Sequence, residues 1–461
     1  MIRENTVKRY LCVMLAIIFI QPQLQAQVKP FKALRYDEDY SYLSKDTSDN
    51  WYHRMKYSRL SAAGSSYVSI GGEARIQYFN LKNEDWGDAV RDKDGFVLSR
   101  YLFHADLHAG KKFRLFTQLQ SSLASGKPSF SPVEQNEMEL HQAFADFNSK
   151  VGSGNWLLRF GRQEMSYGSQ RLISVRELPN NRQSFDGLKT SWKNELYQLD
   201  MFYTYYVQAK KGIFNDGVND DIRLWGAYLT RNKVRALQNI DLYYLGIRKR
   251  SALFVDGSAT ELRHSVGTRI WQNKTNWQYD LEGVYQWGGF GQHTISAWTA
   301  SANVSHTFPS SKMKPVLGLK AEIISGDRQT GDGRLNTFNP LFPKGAYFGL
   351  AALIGPSNLL DIHPYIELAV AKDLSWQTDY DVFWRKSIED GIYGPNVQII
   401  YPAGVSAKHI GQQLGTALVY TPNQFLNLRG EFTWFNAGGY LKQSGAGKDI
   451  LMAGATVQFK F

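Results

Sequence analysis

The C-terminal segment of the chain, residues 449–461, alternates apolar and polar side chains with a period of two. Its apolar positions are Leu451, Ala453, Ala455, Val457, Phe459 and Phe461. The positions between them become polar towards the end, at Thr456, Gln458 and Lys460. A period of two is that of a β-strand, and an apolar stripe along one face indicates contact with an apolar medium. The segment therefore favours a strand with one face against lipid.

The N-terminal segment has the pattern of an export signal. Basic residues Arg3, Lys8 and Arg9 precede an apolar run over residues 11–20, and small and polar residues suited to cleavage follow. We therefore predict a signal peptide over residues 1–26. The apolar run is too short for the roughly 20 residues of a membrane-spanning helix. It contains the only cysteine of the chain, so the exported part would have no thiol for a disulfide or a metal site.

Composition and spacing indicate an all-β chain. It contains 26 Tyr, 26 Phe and 12 Trp with 40 Gly and 14 Pro, which suits the interfacial rings and bending strands of a closed barrel. Candidate strands begin near Tyr67, Val97, Lys111, Met138, Trp156, Ser184, Tyr197, Ile222, Asn239, Leu262, Trp277, Thr294, Met313, Leu360, Trp376, Ile410, Phe425 and Asp449. We predict a transmembrane up-and-down antiparallel β-barrel of about 18 strands over residues 67–461, as one monomeric domain in the outer membrane.

Short and long links alternate between the predicted strands. Residues 273–276 and 421–424 are tight turns, whereas residues 328–358 and 387–409 are long and rich in Gly, Asp and Asn. Such alternation is typical of outer-membrane barrels, which have short periplasmic turns and long external loops. The highly charged residues 27–66 precede the first strand, and we predict a periplasmic N-terminal extension, with a plug of the pore mouth as the alternative.

The strand face opposite the apolar stripe carries charge of both signs, led by arginine. The alternation places Arg100, Arg114, Lys189, Lys320, Arg385 and Arg429 on this face. A charge on the lipid face would cost ~2–4 kcal/mol at the membrane midplane, so these side chains should line a wet pore. About half of the charged side chains are expected to pair across strands and only support the wall. The remaining excess of arginine predicts a pore that attracts anions.

Four sequence blocks resemble the alginate export family of outer-membrane porins. They are LHQAFADF (residues 140–147), LRFGRQEMSYGSQRL with FDGLK (158–189), TFNPLFPKGAYFG with IGPSNLLDIHP (337–364) and KHIGQQL (408–414). The resemblance implies a barrel of about 18 strands with an arginine-rich constriction that passes an anionic uronate polymer outward. It also implies that Arg159, Arg162 and Arg171, which match basic positions of the second block, bind the solute. The implied partners are outer-membrane lipid, an anionic saccharide or other small anionic solute, and periplasmic export machinery.

One link departs from the family pattern and leaves alternative functions open. The family's exporter has a long periplasmic turn late in the chain that helps to gate the pore, whereas the corresponding link here is residues 421–424. The alternatives to acidic polysaccharide export are a general porin for small sugars and an outer-membrane hydrolase of lipid or peptide with its active site at the rim. For the hydrolase, His53, His293 and His409 are scattered and have no evident nucleophile beside them in sequence.

No cofactor, metal or nucleic-acid site is predicted. The sequence contains no phosphate loop, G-x-S-x-G elbow or H-E-x-x-H helix. His104 and His108 would lie ~13 Å apart on a strand, too far for one metal ion. Residues 325–336 are similar to a calcium loop but lack its bidentate Glu, which favours a solvated hairpin loop. The net charge of +11 suits nucleic acid, but the export signal and the barrel pattern argue against it.

The link at residues 337–364 is unusually apolar for an external loop. Its apolar and turn-forming residues include Phe338, Asn339, Pro340, Phe342 and Asn358. In water such a cluster would form an exposed apolar patch, so it should pack against another part of the protein. We expect the loop to fold inward and narrow the pore mouth, with packing on the barrel rim as the alternative.

Overall fold

The computed structural model describes residues 30–45, 50–62, 64–89, 95–127, 130–349 and 351–461. The predicted signal peptide lies outside these residues. In the described ranges the chain is all-β, and its long strands form one closed antiparallel barrel of 18 strands. None of the helices described is long and apolar enough to cross a membrane. The predicted fold class is therefore confirmed.

In chain order the barrel strands are β1 Tyr67–Lys82, β2 Phe96–Ala109, β3 Phe113–Ser125, β4 Asn136–Val151, β5 Gly154–Gln163, β6 Phe185–Lys193, β7 Tyr197–Gln208, β8 Gly217–Val234, β9 Gln238–Phe254, β10 Gly257–Gln272, β11 Trp277–Phe290, β12 His293–Thr307, β13 Val316–Ile324, β14 Leu359–Ala371, β15 Leu374–Arg385, β16 His409–Tyr420, β17 Leu426–Ala437 and β18 Ile450–Lys460. Shorter strands are Ser58–Arg59, Arg334–Leu335, Ile392–Tyr393 and Ile399–Tyr401. The α-helices are Trp51–Lys56 and Gly439–Ser444, and the 3-10 helices are Arg35–Asp37, Ser41–Lys45 and Glu84–Gly87.

The barrel closes because its last strand pairs with its first. In the β1–β18 ladder, Glu73 lies opposite Lys460 and Lys82 lies opposite Leu451. All the other barrel strands pair with their neighbours in the chain. In lipid, an unpaired sheet edge would leave backbone N–H and C=O groups without partners, at a cost of several kcal/mol each. Closure removes that edge.

The two ends of the barrel differ in their links. One end carries links no longer than residues 308–315, and we call it the periplasmic end. The opposite, external end carries the long links, residues 164–184, 325–358 and 386–408. Two links at the external end are nonetheless tight, because β9 ends at Phe254 and β10 begins at Gly257, and a similar turn joins β11 to β12.

Predicted and observed strand starts agree to within five residues. The largest differences are at β8 and β10, which we predict near Ile222 and Leu262 and which begin at Gly217 and Gly257. Both strands begin at the external end, with polar or small residues. A strand that extends beyond the lipid needs no apolar face, so the alternation that identifies it in the sequence is absent there.

Side chains separate into an apolar outside and a polar inside. On β2, Tyr101 and Phe103 are exposed on the outward face, whereas the flanking Arg100 and His104 are buried. On β10, Leu262 and Val266 are exposed and Arg263 is fully buried. The interior of this protein is therefore a polar core, the reverse of the arrangement in a soluble protein.

The described part of the N-terminal segment packs into the periplasmic end of the barrel. The ring of Tyr36 makes edge-to-face contacts with Phe116 and Phe144, and the Arg159 guanidinium lies 4.1 Å from its centroid. Arg35 donates hydrogen bonds to the carbonyl oxygens of Gly72 and Phe461, at 2.9 and 2.8 Å. Residues 30–45 thus lie against the inner wall, as a plug would. The predicted boundaries of the signal peptide, the N-terminal extension and the barrel remain predictions.

We expect Tyr36→Ala to loosen this segment. The substitution removes a buried ring, for which roughly 3–5 kcal/mol is typical, and the hydrogen bond from the Tyr36 hydroxyl to the Glu164 carbonyl. Limited trypsin digestion of the folded protein should therefore cleave the segment faster. Ser41→Ala, at an exposed position of the same segment, should leave the cleavage rate unchanged. Equal rates for wild type and Tyr36→Ala would show that the ring does not hold the segment in place.

Candidate functional site

Two external links fold into the lumen and pair with each other there. We call residues 164–184 loop A and residues 325–358 loop B. The Phe342 N–H donates to the Leu172 carbonyl at 2.9 Å, and the Ser174 N–H donates to the Phe342 carbonyl at 3.0 Å. Buried apolar residues join the two loops, and they include Leu172, Ile173, Phe338, Leu341, Phe342, Tyr347, Phe348 and Ile354. The middle of the barrel is therefore filled by loop residues.

Loop B is anchored to the inner wall through Asn339. Its side-chain amide donates to both carboxylate oxygens of Glu261 on β10, at 3.0 and 3.1 Å. Its backbone exchanges two hydrogen bonds with the Gln286 side chain on β11, at 3.0 and 2.8 Å. Arg263 joins the same group, because it donates to Glu261, to Gln286 and to the Thr337 carbonyl. These contacts place the loop inside the barrel instead of on its rim.

The other residues predicted for this loop have structural contacts. Phe338, Pro340 and Phe342 are buried, and the Phe342 ring packs edge-on against Phe185 of β6. Asn358 adopts a left-handed backbone conformation, with φ of 51°, and orders the neighbouring external link. Its amide donates to the Ser387 and Gly391 carbonyls, each at 3.0 Å, and its side-chain oxygen accepts from the Ser387 N–H.

Loop A is held to the wall by an arginine–glutamate cluster. Arg100 of β2 donates to Glu73 at 3.0 and 2.7 Å and also pairs with Glu177 of loop A. Arg75 of β1 donates to the backbone carbonyls of residues 177, 178 and 179. Burial alone would raise the pKa of Glu177, but the guanidinium groups of Arg100, Arg182 and Arg75 lower it well below its usual range. Glu177 therefore remains ionised throughout the physiological pH range.

Arg171 connects loop A to loop B and to the wall. It pairs with Glu282 of β11 at 3.1 Å and with Glu322 of β13 at 2.7 Å. It also donates to the Tyr347 hydroxyl of loop B at 2.7 Å. Arg171, a basic position of the second family-like block, thus lies in the lumen, where it contacts two glutamates of the wall and Tyr347 of loop B.

A cavity of about 810 Å³ opens at the periplasmic end below the two loops, and we call it the vestibule. Its charged lining residues are Lys32, Arg159, Lys189, Lys193 and Arg269, with Asp37, Asp200, Asp241 and Asp280. Its aromatic lining residues are Tyr36, Tyr167, Tyr228, Trp271, Tyr279 and Tyr365. The lining itself thus has five cations and four carboxylates, and Asp146, which binds Arg159 from outside the lining, brings the two signs into balance. A second cavity of about 720 Å³ lies at the external end; loop A contributes to both cavities, and loop B lines the external one.

Carboxylates orient the cations of the vestibule. Asp146 binds the Nε and Nη2 atoms of Arg159 at 2.7 and 2.9 Å. Asp200 pairs with Lys189 at 2.8 Å. Arg269 is held between Asp241, at 3.0 Å, and Asp280, at 2.7 Å. Because these three cations are held in place, they present a rigid pattern of charge beside the aromatic rings of the vestibule.

Most of the cations predicted for the pore are paired. Seven of the nine have an acidic partner within 4.0 Å: Arg100, Arg114, Arg159, Arg162, Arg171, Lys189 and Arg429. Five of these seven pair across neighbouring strands, whereas Arg171 pairs from loop A and Arg429 pairs with Glu431 of its own strand. A charge without a partner in a narrow lumen has little water around it, which favours such pairing. The Lys320 ammonium lies 4.9 Å from the ring centroid of Tyr365.

Two of the cations that we predicted to line the pore do not face a path for the solute. Arg162 of β5 shares the outward face with Phe160, which is 69% exposed, and pairs with Asp186 at 2.9 Å. Arg159 and Arg162 are three residues apart, so a strand cannot present both inward. Arg385 is fully buried and donates to backbone carbonyls of the link after β15, including those of Ile388 and Asp390, each at 3.1 Å.

Sequence reasoning missed several residues of the lumen. Arg269 belongs to the inward set of β10, opposite the exposed Leu262 and Val266, and the alternation could have identified it. Lys344 of loop B has no such signal, because its position depends on how the loop folds. Burial, with Arg171 and Lys320 nearby, lowers the pKa of Lys344 from 10.5 to about 8.

Asn339→Ala should raise single-channel conductance. The substitution removes the loop-B amide that satisfies Glu261, and a hydrogen bond to a charged group contributes about 1.5–3 kcal/mol. Loop B should then leave the lumen more often. Gln329→Ala, at an exposed position of the same loop, should leave the conductance of planar-bilayer channels unchanged. An unaltered conductance in a folded Asn339→Ala protein would mean that this anchor does not control the pore.

Raising the pH from 7 to 9 should reduce any preference for anions. Because the pKa of Lys344 in the folded protein is lowered to about 8, its positive charge is present at pH 7 and is lost as the pH rises through about 8. Reversal potentials at both pH values should show a smaller change for Lys344→Gln than for wild type. The exposed Lys211→Gln serves as the control and should behave as wild type does. The same change in Lys344→Gln as in wild type would assign the effect to another group.

Comparison with known proteins agrees with the barrel geometry. A family model described as alginate export matches residues 66–449. None of the curated proteins matches the chain. Among solved structures, a BenF-like porin from Pseudomonas fluorescens Pf-5 has a TM-score of 0.57 and 8% identity, and the match covers 86% of this chain and 98% of that chain.

Two further similar structures come from Pseudomonas aeruginosa. OccK2 (OpdF) in complex with glucuronate has a TM-score of 0.54 and 12% identity, covering 86% of this chain and 96% of that chain. OpdK with vanillate has a TM-score of 0.55 and 11% identity, with coverage of 86% and 98%. At such low identity the likeness shows the fold alone. Because the family model spans most of the chain, the protein belongs to the alginate export family and is an outer-membrane β-barrel porin.

Proposed function

We propose that this protein is a passive channel for small hydroxylated anions, with monomeric or short sugar acids as the substrate class. The observation that carries the proposal is the vestibule, in which Arg159, Lys189 and Arg269 surround a cavity of about 810 Å³ between aromatic side chains. A cavity of this volume lies within the ~300–1,000 Å³ range of small-molecule sites.

The chemistry of the lining fits a sugar acid. A guanidinium donates hydrogen bonds to carboxylates. The bonds from Arg159 to Asp146 use its Nε and Nη2 atoms, so a solute carboxylate would approach the Nη1 atom. Carboxylates such as Asp200 and Asp280 can accept hydrogen bonds from sugar hydroxyls. Aromatic faces suit the apolar faces of a sugar ring, and the Tyr167 ring is already stacked with Tyr228 at 5.0 Å.

Ligands of two similar structures support the same class of solute. OccK2 is described in complex with glucuronate, a sugar acid, and OpdK with vanillate, an aromatic carboxylate. Both ligands are small anions. We extend this solute class to the present chain because its vestibule combines oriented cations with aromatic rings.

The filled lumen favours small solutes over a polymer. Loops A and B pair through backbone hydrogen bonds across the barrel, between the vestibule and the external cavity. A long polymer chain would have to displace the buried cluster around Ile173 and Phe342. The link between β16 and β17 is also short, since β16 ends at Tyr420 and β17 begins at Leu426, so it cannot form the long gating turn of the polymer exporter.

Removal of vestibule cations gives a sharp test of the proposal. Arg159, Lys189 and Arg269 face the cavity, whereas Asp146, the partner of Arg159, is not part of its lining, and this arrangement predicts a weak anion preference for wild type in planar bilayers under a KCl gradient. The double variant Lys189→Gln with Arg269→Gln leaves three lining cations against four lining carboxylates, so its reversal potential should change sign. Its rate of glucuronate entry in liposome swelling should fall several-fold relative to that of glucose.

Arg162→Gln is the matched control for this experiment. Arg162 is also an arginine with a bidentate aspartate partner, but it lies on the outward face beside Phe160. It should keep the reversal potential and the glucuronate rate of wild type. A cation preference in wild type, or an unchanged sign in the double variant, would contradict the proposal. Swelling that is faster with neutral sugars than with glucuronate in wild type would instead indicate a general sugar porin.

A further inference from the structure

Three potential metal ligands meet on the inner wall of β14 and β15. On β14, Asp361 and His363 face the lumen, because Ile362 between them is exposed on the outward face. On β15, Asp381 faces the lumen, because Tyr380 is exposed on the outward face. The ladder pairs Ile362 with Val382 and Tyr365 with Asp379, and this register places His363 opposite Asp381.

The donor atoms of these three side chains converge at one point. One ligand atom from each of Asp361, His363 and Asp381 lies within 4.8 Å of the others. All three residues are buried, with exposed fractions of 4%, 2% and 0%. Such a separation suits ligands arranged around a single ion.

Several of the polar atoms have no hydrogen-bond partner among the described residues. They are Oδ1 of Asp361, both carboxylate oxygens of Asp381 and Nε2 of His363. The His363 Nδ1 atom approaches an Asp381 oxygen closely, but as an ion-pair contact without hydrogen-bond geometry. Buried carboxylate oxygens without partners are costly, and two such carboxylates also repel each other. A cation at the centre of this cluster would relieve both costs.

Neighbouring cations are engaged elsewhere. Lys320 lies opposite His363 on β13, and its ammonium group contacts the Tyr365 ring. Arg171 binds Glu282 and Glu322. Neither of these cations forms an ion pair with the three ligands in the contacts that the structure shows.

We propose that Asp361, His363 and Asp381 bind one first-row divalent cation, with Zn²⁺ as the best match. An imidazole with two carboxylates is a mixed nitrogen and oxygen set, which suits Zn²⁺ better than Ca²⁺, since Ca²⁺ takes oxygen ligands. The Nδ1 atom of His363 faces Asp381, and its Nε2 atom lies 3.7 Å from Asp379. A carboxylate on the second ring nitrogen is the usual way to orient a metal-binding histidine. Three protein ligands leave one position open to the lumen.

Isothermal titration calorimetry on the folded barrel tests the proposal. The protein, without a polyhistidine tag, is stripped with EDTA in detergent, dialysed and titrated with ZnCl₂, and separately with MnCl₂ and CaCl₂. Wild type should bind one Zn²⁺ per barrel, more tightly than Mn²⁺ and much more tightly than Ca²⁺. Asp361→Asn, His363→Gln and Asp381→Asn should each weaken Zn²⁺ binding at least tenfold.

His264→Gln is the matched control. His264 lies elsewhere in the barrel, on β10, where it contacts the Tyr244 hydroxyl at 2.7 Å and should not contribute to the site. Heat-modifiable migration on a gel verifies that each variant is folded. The wild-type titration decides the question even if a variant fails to fold, because absence of one-site Zn²⁺ binding by wild type overturns the proposal. Equal Zn²⁺ affinity in wild type and folded His363→Gln would overturn it as well. This binding assay does not depend on the transported solute.

Discussion

A bilayer supplies no hydrogen bonds, and this constraint determines most of the structure. Every backbone group of the 18 strands must find its partner in the sheet, which requires β18 to return to β1. Charged side chains at membrane depth should then point inward, as Arg100, Arg159 and Arg263 do, whereas the outward Arg162 lies next to the external end of β5 and is paired with Asp186. The same constraint that closes the wall therefore fills the interior with charge.

An interior filled with charge has to neutralise itself. Arg100 with Glu73, Arg159 with Asp146 and Arg171 with Glu322 form this polar core. Because each pair combines opposite charges, the pairs add little net electrostatic potential to the lumen. They also add little stability, since burying an ion pair costs about as much desolvation energy as the pairing returns, so their main effect is to hold side chains in place. Selectivity must then depend on where each charge is held. In the vestibule Arg269 is fixed between two aspartates, and Asp146 binds Arg159 from outside the lining.

The two inner loops use the same polar core as an attachment surface. Glu177 brings loop A to Arg100, and Asn339 brings loop B to Glu261 and Gln286. Once attached, the loops bury apolar residues against each other, so the lumen contains a small apolar core inside the polar one. The wall at β14 and β15 differs from this pattern, because Asp361 and Asp381 lie close together with His363 and no ion pair of the described residues joins them to an arginine or a lysine. This imbalance is what distinguishes a ligand site from the ion pairs around it.

The sequence by itself determined the barrel. A period of two with lipid on one side is a local rule, so the strand starts, the closing C-terminal strand and the inward position of Arg100 and Arg114 follow from the order of residues alone. The same rule excludes Arg162 from the face of Arg159, although the family-like block favoured both. Only the tertiary structure decided the rest. Loop B has no period to reveal that Asn339 reaches β10, and His363 meets Asp381 only through the register of two strands. Contacts of this kind depend on long-range geometry, which a local pattern does not contain.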